Sequence, residues 1–153
     1  MNLGEQLSTA RRVISRLLRQ RRNRLAMDKR MAEVDLTLPD DVEVAVYFAD
    51  GVVNLYQVRQ WFAPLSALAE TRKVAIITRS PGATLALLDE SPVPVAYCRT
   101  VLDLEQFVAQ NPLRIVLYVN QNAKNFQMFR YGRMLHVFIN HGESDNMYMT
   151  TNQ

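Results

Sequence analysis

Residues 42–49 read VEVAVYFA, a short apolar run that is rich in β-branched side chains. A run of this kind is typical of a strand that is buried on both faces, as the strands of a parallel sheet are. Four similar runs follow along the chain: 73–78 (KVAIIT), 93–97 (VPVAY), 114–120 (RIVLYVN) and 135–140 (LHVFIN). Pro94 favours an edge position for the third strand, because proline has no N–H to donate to the ladder. The last run is interpreted as another buried strand.

Segments with the apolar spacing of helices separate these strands, at residues 55–70, 84–89, 101–110 and 124–131. Alternating strands and helices predict the α/β class, here a Rossmann-like doubly wound parallel sheet of about five strands that is covered on both faces. Tyr56, Trp61 and Phe62 of the first helical segment are expected to face the sheet. Ligands of such sheets bind outside the carboxyl ends of the strands. In this chain those ends are residues 50–51, 79–82, 120–122 and 141–145.

The amino-terminal region, residues 1–38, is predicted to be a long basic amphipathic helix that precedes the domain. Residues 3–33 contain no proline, and their apolar side chains recur at close to helical spacing. Residues 1–30 carry nine Lys or Arg against two acidic residues, whereas residues 31–153 carry nine basic against thirteen acidic residues. The positive charge of the protein therefore belongs to this helix and not to the domain of residues 39–153.

Three interpretations of the basic helix are open. An arginine-rich amphipathic helix binds anionic membrane surfaces, and each basic residue near the surface contributes about 1 kcal/mol. The expected membrane-binding residues are Arg11, Arg12, Arg16, Arg19 and Arg22. Alternatively, the helix is solvated or contacts another subunit. A homodimer is expected separately, through the domain face that a second domain would normally cover. Nucleic acid is disfavoured as a partner, because the helix has no aromatic side chain for base stacking and the domain behind it is net acidic.

Composition and motifs exclude several function classes. No apolar run reaches the roughly 18 residues of a membrane span, and the amino terminus lacks the apolar stretch of a secretory signal, so a cytoplasmic protein is expected. The single cysteine excludes an internal disulfide, and two histidines are too few for a histidine-based metal centre, so we expect no metal and no cofactor. The absence of GxGxxG and GxxxxGK[ST] argues against a dinucleotide site and a P-loop. Cys98 is interpreted as a structural thiol, with a Cys98–His141 dyad as the alternative.

The carboxyl end of the last strand carries the most informative polar residues, which read NHGESDN at 140–146. His141 follows the strand directly, where a general base would face a ligand cleft, and the ordinary histidine pKa of about 6.5 allows proton uptake at neutral pH. Gly142 lets the backbone turn and approach a ligand closely. Glu143 or Asp145 would fix the tautomer of the histidine. The alternative is a polar turn that caps a following helix.

The longer segment RYGRMLHVFINHGESDN, residues 130–146, resembles the CDP-glycerol glycerophosphotransferase family of teichoic-acid and capsule polymer enzymes. These enzymes have the two-domain GT-B architecture. The resemblance implies that His141, paired with Gly142, is the catalytic base that deprotonates the acceptor hydroxyl. The residues implied to line the acceptor cleft and bind substrate are Gly142, Glu143, Ser144 and Asp145. The chain departs from the family at Asn146, where family members often carry a lysine, and this bears on phosphate contact.

The resemblance also predicts the role of the chain as a whole. The family binds its cytidine nucleotide donor in a carboxyl-terminal domain, so residues 39–153 are expected to be an acceptor-side domain that is truncated and inactive alone. The full-length protein would transfer glycerol phosphate, or a related polyol or sugar phosphate, from a CDP-linked donor to a lipid-linked cell-wall or capsule polymer. It would act as a peripheral protein on the inner face of the cell membrane. The alternative is a stand-alone, non-catalytic α/β binding module whose basic helix binds a membrane or a partner.

Overall fold

The computed structural model describes residues 14–15, 17–18, 21–22, 25–34, 36 and 38–140. The chain divides into two compact units, Met1–Asp35 and Leu36–Gln153. In the first unit every described residue from 14 to 33 is helical, and this helix, α1, is described without a gap over residues 25–33. Four apolar side chains of α1 are exposed, namely Ile14, Leu17, Leu18 and Leu25. No helix within the described ranges combines the length and the apolar character that crossing a membrane requires.

The second unit contains one parallel sheet, as the spacing of the apolar runs predicts. In the described part of the chain its strands are β1 (Val44–Phe48), β2 (Val74–Thr78), β3 (Val95–Tyr97), β4 (Ile115–Tyr118) and β5 (Leu135–Phe138). Their order across the sheet is β3-β2-β1-β4-β5, and every neighbouring pair is parallel. Strand β3, which immediately follows Pro94, lies at an edge of the sheet, and this confirms its predicted position.

Helices connect successive strands, and two short 3₁₀ turns precede some of them. The helices are α2 (Tyr56–Arg59), α3 (Phe62–Ala69), α4 (Pro81–Glu90), α5 (Val101–Gln110) and α6 (Phe126–Phe129), and the 3₁₀ turns are Val52–Asn54 and Ala123–Asn125. Since alternate side chains of a strand point to opposite faces, β1 contributes to two separate cores. Tyr47 belongs to the core that contains Phe107 of α5 and Met128 of α6. Phe48 belongs to the core that contains Leu65 of α3 and Leu87 of α4.

Local sequence explains where two of these helices begin. Ser80 has an extended backbone and Pro81 occupies the first helical position of α4, where its fixed φ suits a helix and its missing N–H costs nothing. Helix α5 begins with a capping box, in which the Thr100 hydroxyl accepts from the Asp103 N–H and the Asp103 carboxylate accepts from the Thr100 N–H. Because of Ser80 and Pro81, helix α4 begins at Pro81, three residues before the predicted start at residue 84.

The prediction of one helix over residues 55–70 was wrong. The segment is a 3₁₀ turn followed by two helices, and it breaks at Trp61, whose φ of −94° and ψ of 0° are not helical. The break lets Trp61 and Phe62 pack against the core, as expected. Tyr56 remains 54 % exposed, so the expectation that it faces the sheet was wrong.

The prediction of a buried fifth strand was also wrong. Strand β5 lies at the second edge of the sheet, and Leu135 and Val137 are 66 % and 40 % exposed. These two residues share a sheet face with Ile115 and Leu117. The helices packed on that face, α3 and α4, belong to the β1–β2 and β2–β3 connections and therefore lie over the opposite half of the sheet.

Helix α4 offers a matched test of the core, because Leu87 is fully buried and its neighbour Leu88 is 37 % exposed. Leu87→Ala is expected to lower the free energy of unfolding by about 2–5 kcal/mol, because it leaves a cavity between α4 and the sheet. Leu88→Ala should change this free energy by less than about 1 kcal/mol. Urea unfolding followed by circular dichroism measures both values. Equal losses in the two variants would contradict the placement of α4.

Candidate functional site

The strand order reverses between β1 and β4, which makes this the switch point of the sheet. From β1 the chain proceeds to β2 and β3 on one side, and β4 and β5 lie on the other. The connections that leave β1 and β4 therefore diverge, and such a crevice at the carboxyl ends is where doubly wound proteins bind ligands. Asp50 and Asn120 stand in these two connections.

A network of side-chain amides joins the two connections. Asn120 is 5 % exposed, and its Nδ2 donates to Gln57 Oε1 at 2.7 Å and to Asp50 Oδ2 at 3.3 Å. Asn54 Nδ2 donates to the same Asp50 oxygen at 2.8 Å, and Asn125 Nδ2 donates to the Asn120 carbonyl at 2.8 Å. Because Asn120 donates across to Gln57 and Asp50 of the other connection, the network holds the rim of the crevice in one arrangement.

Two acceptors of this network have no partner. The Oδ1 atoms of Asn120 and Asn125 are buried and accept no hydrogen bond. A buried amide oxygen without a donor is unusual, because it has lost its hydrogen bonds to water. The unpaired oxygens give this part of the site remaining capacity to accept from a hydroxyl or an N–H group.

An open cleft of about 430 Å³ borders the amide network. It lies beyond the carboxyl ends of β4 and β5, and its apolar walls are Phe126, Phe129 and Phe138. Asn120, Gln121 and Asn122, which form one of the predicted strand ends, all line it. Their roles differ, because Asn122 Oδ1 already accepts from the Lys124 N–H at 2.9 Å whereas Gln121 is exposed. Apolar walls with a few convergent polar groups are typical of sites for small organic ligands.

A second polar group, at the carboxyl end of β2, was missed as a site by sequence reasoning. Arg79 Nη1 donates to Tyr47 Oη at 3.1 Å and to Gln127 Oε1, and its Nη2 donates to the Arg99 carbonyl at 3.1 Å. Burial raises the pKa of the Tyr47 phenol, and Arg79 opposes this rise only in part, so Tyr47 is neutral at physiological pH. The sequence analysis placed residue 79 at the carboxyl end of a strand, but nothing in the sequence indicated that Tyr47, Gln127 and Arg99 would be its hydrogen-bond partners.

Both ring nitrogens of His136 form hydrogen bonds within the fold. Its Nε2 lies 3.1 Å from the Tyr131 carbonyl oxygen, which can only accept, so Nε2 carries the proton. Its Nδ1 then accepts from the Tyr118 hydroxyl at 2.8 Å. Burial raises the pKa of the Tyr118 phenol, which keeps this hydroxyl a donor. His136 therefore has no ring nitrogen available for a substrate.

Cys98 is fully buried, and burial is the main cause that raises the pKa of its thiol to about 12. The thiolate is the reactive form of cysteine, so Cys98 is unreactive near neutral pH. This burial agrees with the interpretation of Cys98 as a structural thiol, and His141, its partner in the alternative dyad, lies outside the described residues. Across the described residues, no group of three or more His, Cys, Asp or Glu side chains is arranged to hold a metal ion.

The predicted catalytic and substrate-binding residues, His141, Gly142, Glu143, Ser144 and Asp145, lie outside the described residues, as do Arg11, Arg12, Arg16 and Arg19. Arg22 is described, and it is exposed on α1. The described chain ends at Asn140, which has a left-handed φ of 57°. The Asn140 carbonyl accepts from Trp61 Nε1 at 2.7 Å. This bond ties the end of the β5 segment to the connection that follows β1.

Comparison of the chain with protein families, curated protein sequences and solved structures found no match. Its function must therefore be inferred from its own residues.

The amide network provides a matched pair of substitutions. Asn120→Ala removes the donor to Gln57 and Asp50 and leaves the Gln57 amide oxygen buried without a partner, so we expect a loss of about 1–3 kcal/mol in the free energy of unfolding. Gln121→Ala, at the exposed neighbouring position, should change this free energy by no more than about 0.5 kcal/mol. Denaturant titration distinguishes the two. An Asn120→Ala protein as stable as the wild type would show that the network does not hold the rim.

Proposed function

We propose that this chain is the acceptor-side domain of a glycerophosphotransferase, which transfers glycerol phosphate, or a related polyol or sugar phosphate, from a CDP-linked donor to a hydroxyl group of a cell-wall or capsule polymer. One observation carries the proposal. Strand β5 runs parallel to the other strands towards the carboxyl edge, where ligands of this fold class bind. The chain that leaves β5 reaches Asn140, which is tied to Trp61, and the next two residues in the sequence are His141 and Gly142.

In the proposed reaction His141 is the general base. Its imidazole takes the proton of the acceptor hydroxyl as the acceptor oxygen bonds to the phosphorus of the glycerol phosphate group. The bond between that phosphorus and the oxygen of the cytidine monophosphate leaving group breaks, so one P–O bond forms and one is lost. An ordinary histidine pKa of about 6.5 suits this role near neutral pH. His136 cannot replace it, since both of its ring nitrogens are hydrogen-bonded.

The remaining predicted residues have supporting roles in this proposal. Gly142 allows close approach of backbone and substrate, and Glu143, Ser144 and Asp145 line the acceptor cleft. The neighbouring cleft supports an acceptor that is rich in hydroxyl groups. Its lining combines the side chains of Asn120, Gln121, Asn122 and Asn125 with apolar walls, and a polyol or sugar offers hydroxyl groups for the polar side chains and C–H groups for the walls.

The basic helix would hold the enzyme where its lipid-linked polymer lies, on the anionic inner face of the cell membrane. Its exposed side chains support this, since Ile14, Leu17, Leu18 and Leu25 are 56–60 % exposed. A helix that presents apolar side chains together with arginines gains from apolar burial at the interface and from attraction to anionic headgroups.

Substitution of the proposed base tests the function. In the longest form of the protein that its source produces, His141→Ala is expected to lower the rate of transfer from CDP-glycerol at least about 100-fold, because general-base catalysis typically contributes that much or more. The measurement is the release of cytidine monophosphate in the presence of a polymer acceptor.

The other histidine of the chain is the matched control. His136→Gln keeps a side chain that can hydrogen-bond near Tyr118, so its transfer rate should stay within a few-fold of the wild type. If His141→Ala transfers at the wild-type rate, the proposed role of His141 is wrong. If no form of the protein transfers glycerol phosphate, the chain is better explained as a binding module.

The membrane proposal is tested on the whole chain with vesicles. Neutralising Arg11, Arg12, Arg16, Arg19 and Arg22 to Gln should weaken sedimentation with phosphatidylglycerol vesicles at least about tenfold, since each basic residue near such a surface contributes up to about 1 kcal/mol. The control neutralises five basic residues of the second unit, namely Arg59, Arg72, Lys73, Arg114 and Arg130. Equal losses in the two variants, or equal binding to uncharged phosphatidylcholine vesicles, would contradict a specific role of the helix.

A further inference from the structure

Arg79 differs from Arg59, Arg72 and Arg130 of the second unit in the charge of its partners. Its acceptors are a phenol, a side-chain amide and a backbone carbonyl, all of which are uncharged. Arg59, Arg72 and Arg130 each form an ion pair with a glutamate. Arg79 forms no ion pair with any residue that the structure describes, and its Nε–H is buried without an acceptor.

Two acids that the structure describes at this edge of the sheet, Asp103 and Asp50, form no ion pair with Arg79. The Asp103 carboxylate accepts from the Thr100 N–H in the capping box of α5. The Asp50 carboxylate accepts from the Gly51 N–H and from Asn54 at the start of the β1–β2 connection. A partly buried charge without a counterion is costly, so an anion that reaches the guanidinium is stabilised by the charge as well as by hydrogen bonds.

The position of the guanidinium is fixed before any ligand binds. Tyr47, on the central strand, and Gln127, on α6, hold Nη1 from one side, and the backbone after β3 holds Nη2 from the other. A guanidinium that is already ordered loses little conformational entropy when it binds a ligand. Its location beyond the carboxyl end of β2 is on the ligand-binding edge of the sheet.

Two further cations adjoin this group. The carbonyl of Arg99 accepts from Arg79, and the carbonyl of Lys124 accepts from the Tyr47 hydroxyl at 3.3 Å, so both residues are held close to Arg79 through their backbones. Both are exposed residues. The fork of an arginine matches the oxygens of a phosphate group, and the backbones of two further cationic residues lie beside it.

We propose that Arg79 is the centre of a phosphate-binding site, with Arg99 and Lys124 at its rim. The site deepens the proposed function and rests on it only for the source of the phosphate, which would be a phosphate group of the polymer acceptor. Arg79 would then position the acceptor through its phosphate, whereas the amide cleft would receive hydroxyl groups.

Calorimetric titration of the whole chain with sn-glycerol 3-phosphate and with inorganic phosphate tests the site. Arg79→Gln is expected to weaken binding of both about tenfold or more, because a charge-assisted hydrogen bond is lost. Arg79→Lys keeps the charge but not the fork, and should fall between Arg79→Gln and the wild type. The control is Arg72→Gln, which removes an exposed, ion-paired arginine just before β2 and should bind as the wild type does. Equal affinity in Arg79→Gln and the wild type, or an equal loss in Arg72→Gln, would overturn the proposal.

Two additional measurements keep the test decisive. If Arg79→Gln fails to fold, as judged by circular dichroism, titration of the wild type by NMR replaces it. Phosphate should then shift the Arg79 Nε–H and Gln127 side-chain resonances with one saturable affinity, and unchanged resonances would overturn the site. Vesicles that contain phosphatidylglycerol distinguish the source of the phosphate group. If the vesicles displace bound inorganic phosphate and sn-glycerol 3-phosphate does not, Arg79 binds a lipid headgroup.

The proposed function can fail without removing this site. His141→Ala should abolish transfer and leave phosphate affinity unchanged. A protein that binds phosphate through Arg79 but has no transferase activity would retain the site and lose the proposed function. If the protein is a transferase and Arg79→Gln alters neither its phosphate affinity nor its KM for the acceptor, the proposed function stands and the proposed phosphate site is wrong.

Discussion

The second unit depends on the burial of β1 on both of its faces. All five residues of this strand are buried, and its backbone pairs with β2 on one side and β4 on the other. Its side chains alternate between two cores, so each face requires a covering layer. Right-handed crossovers meet this requirement, because the β1–β2 and β2–β3 connections run in one direction across the sheet and the β3–β4 and β4–β5 connections run in the other, so their helices lie on opposite faces.

The same constraint gathers the polar residues at one edge. Parallel strands all end at the same edge, so the segments after β1, β2 and β4 bring Asp50, Arg79 and Asn120 to it. The side chains then separate into two groups. Asn120 joins the amide network of Gln57, Asn54 and Asp50, whereas Arg79 turns to Tyr47 and Gln127. One group offers unpaired acceptors and the other an uncompensated cation, and these suit the hydroxyl groups and the phosphate of one ligand class.

The titratable residues show how the interior limits the available chemistry. Burial holds the Cys98 thiol and the Tyr47 and Tyr118 phenols in their neutral forms, and His136 uses both ring nitrogens in hydrogen bonds. These groups therefore contribute hydrogen bonds and packing to the face under α5 and α6. Under the proposed function, proton transfer falls to His141, which follows the sheet edge in the sequence.

The sequence by itself determined the fold class, the five strands and the edge position of β3, because apolar periodicity and proline chemistry act over a few neighbouring residues. It also located Asp50, Asn120 and the 79–82 segment at strand ends. Only the tertiary structure decided that β5 is an exposed edge, that Trp61 breaks the helix after β1 and that Arg79 binds Tyr47 and Gln127. Each of these depends on partners that are distant in the chain, and a local pattern contains no information about which distant segments will meet.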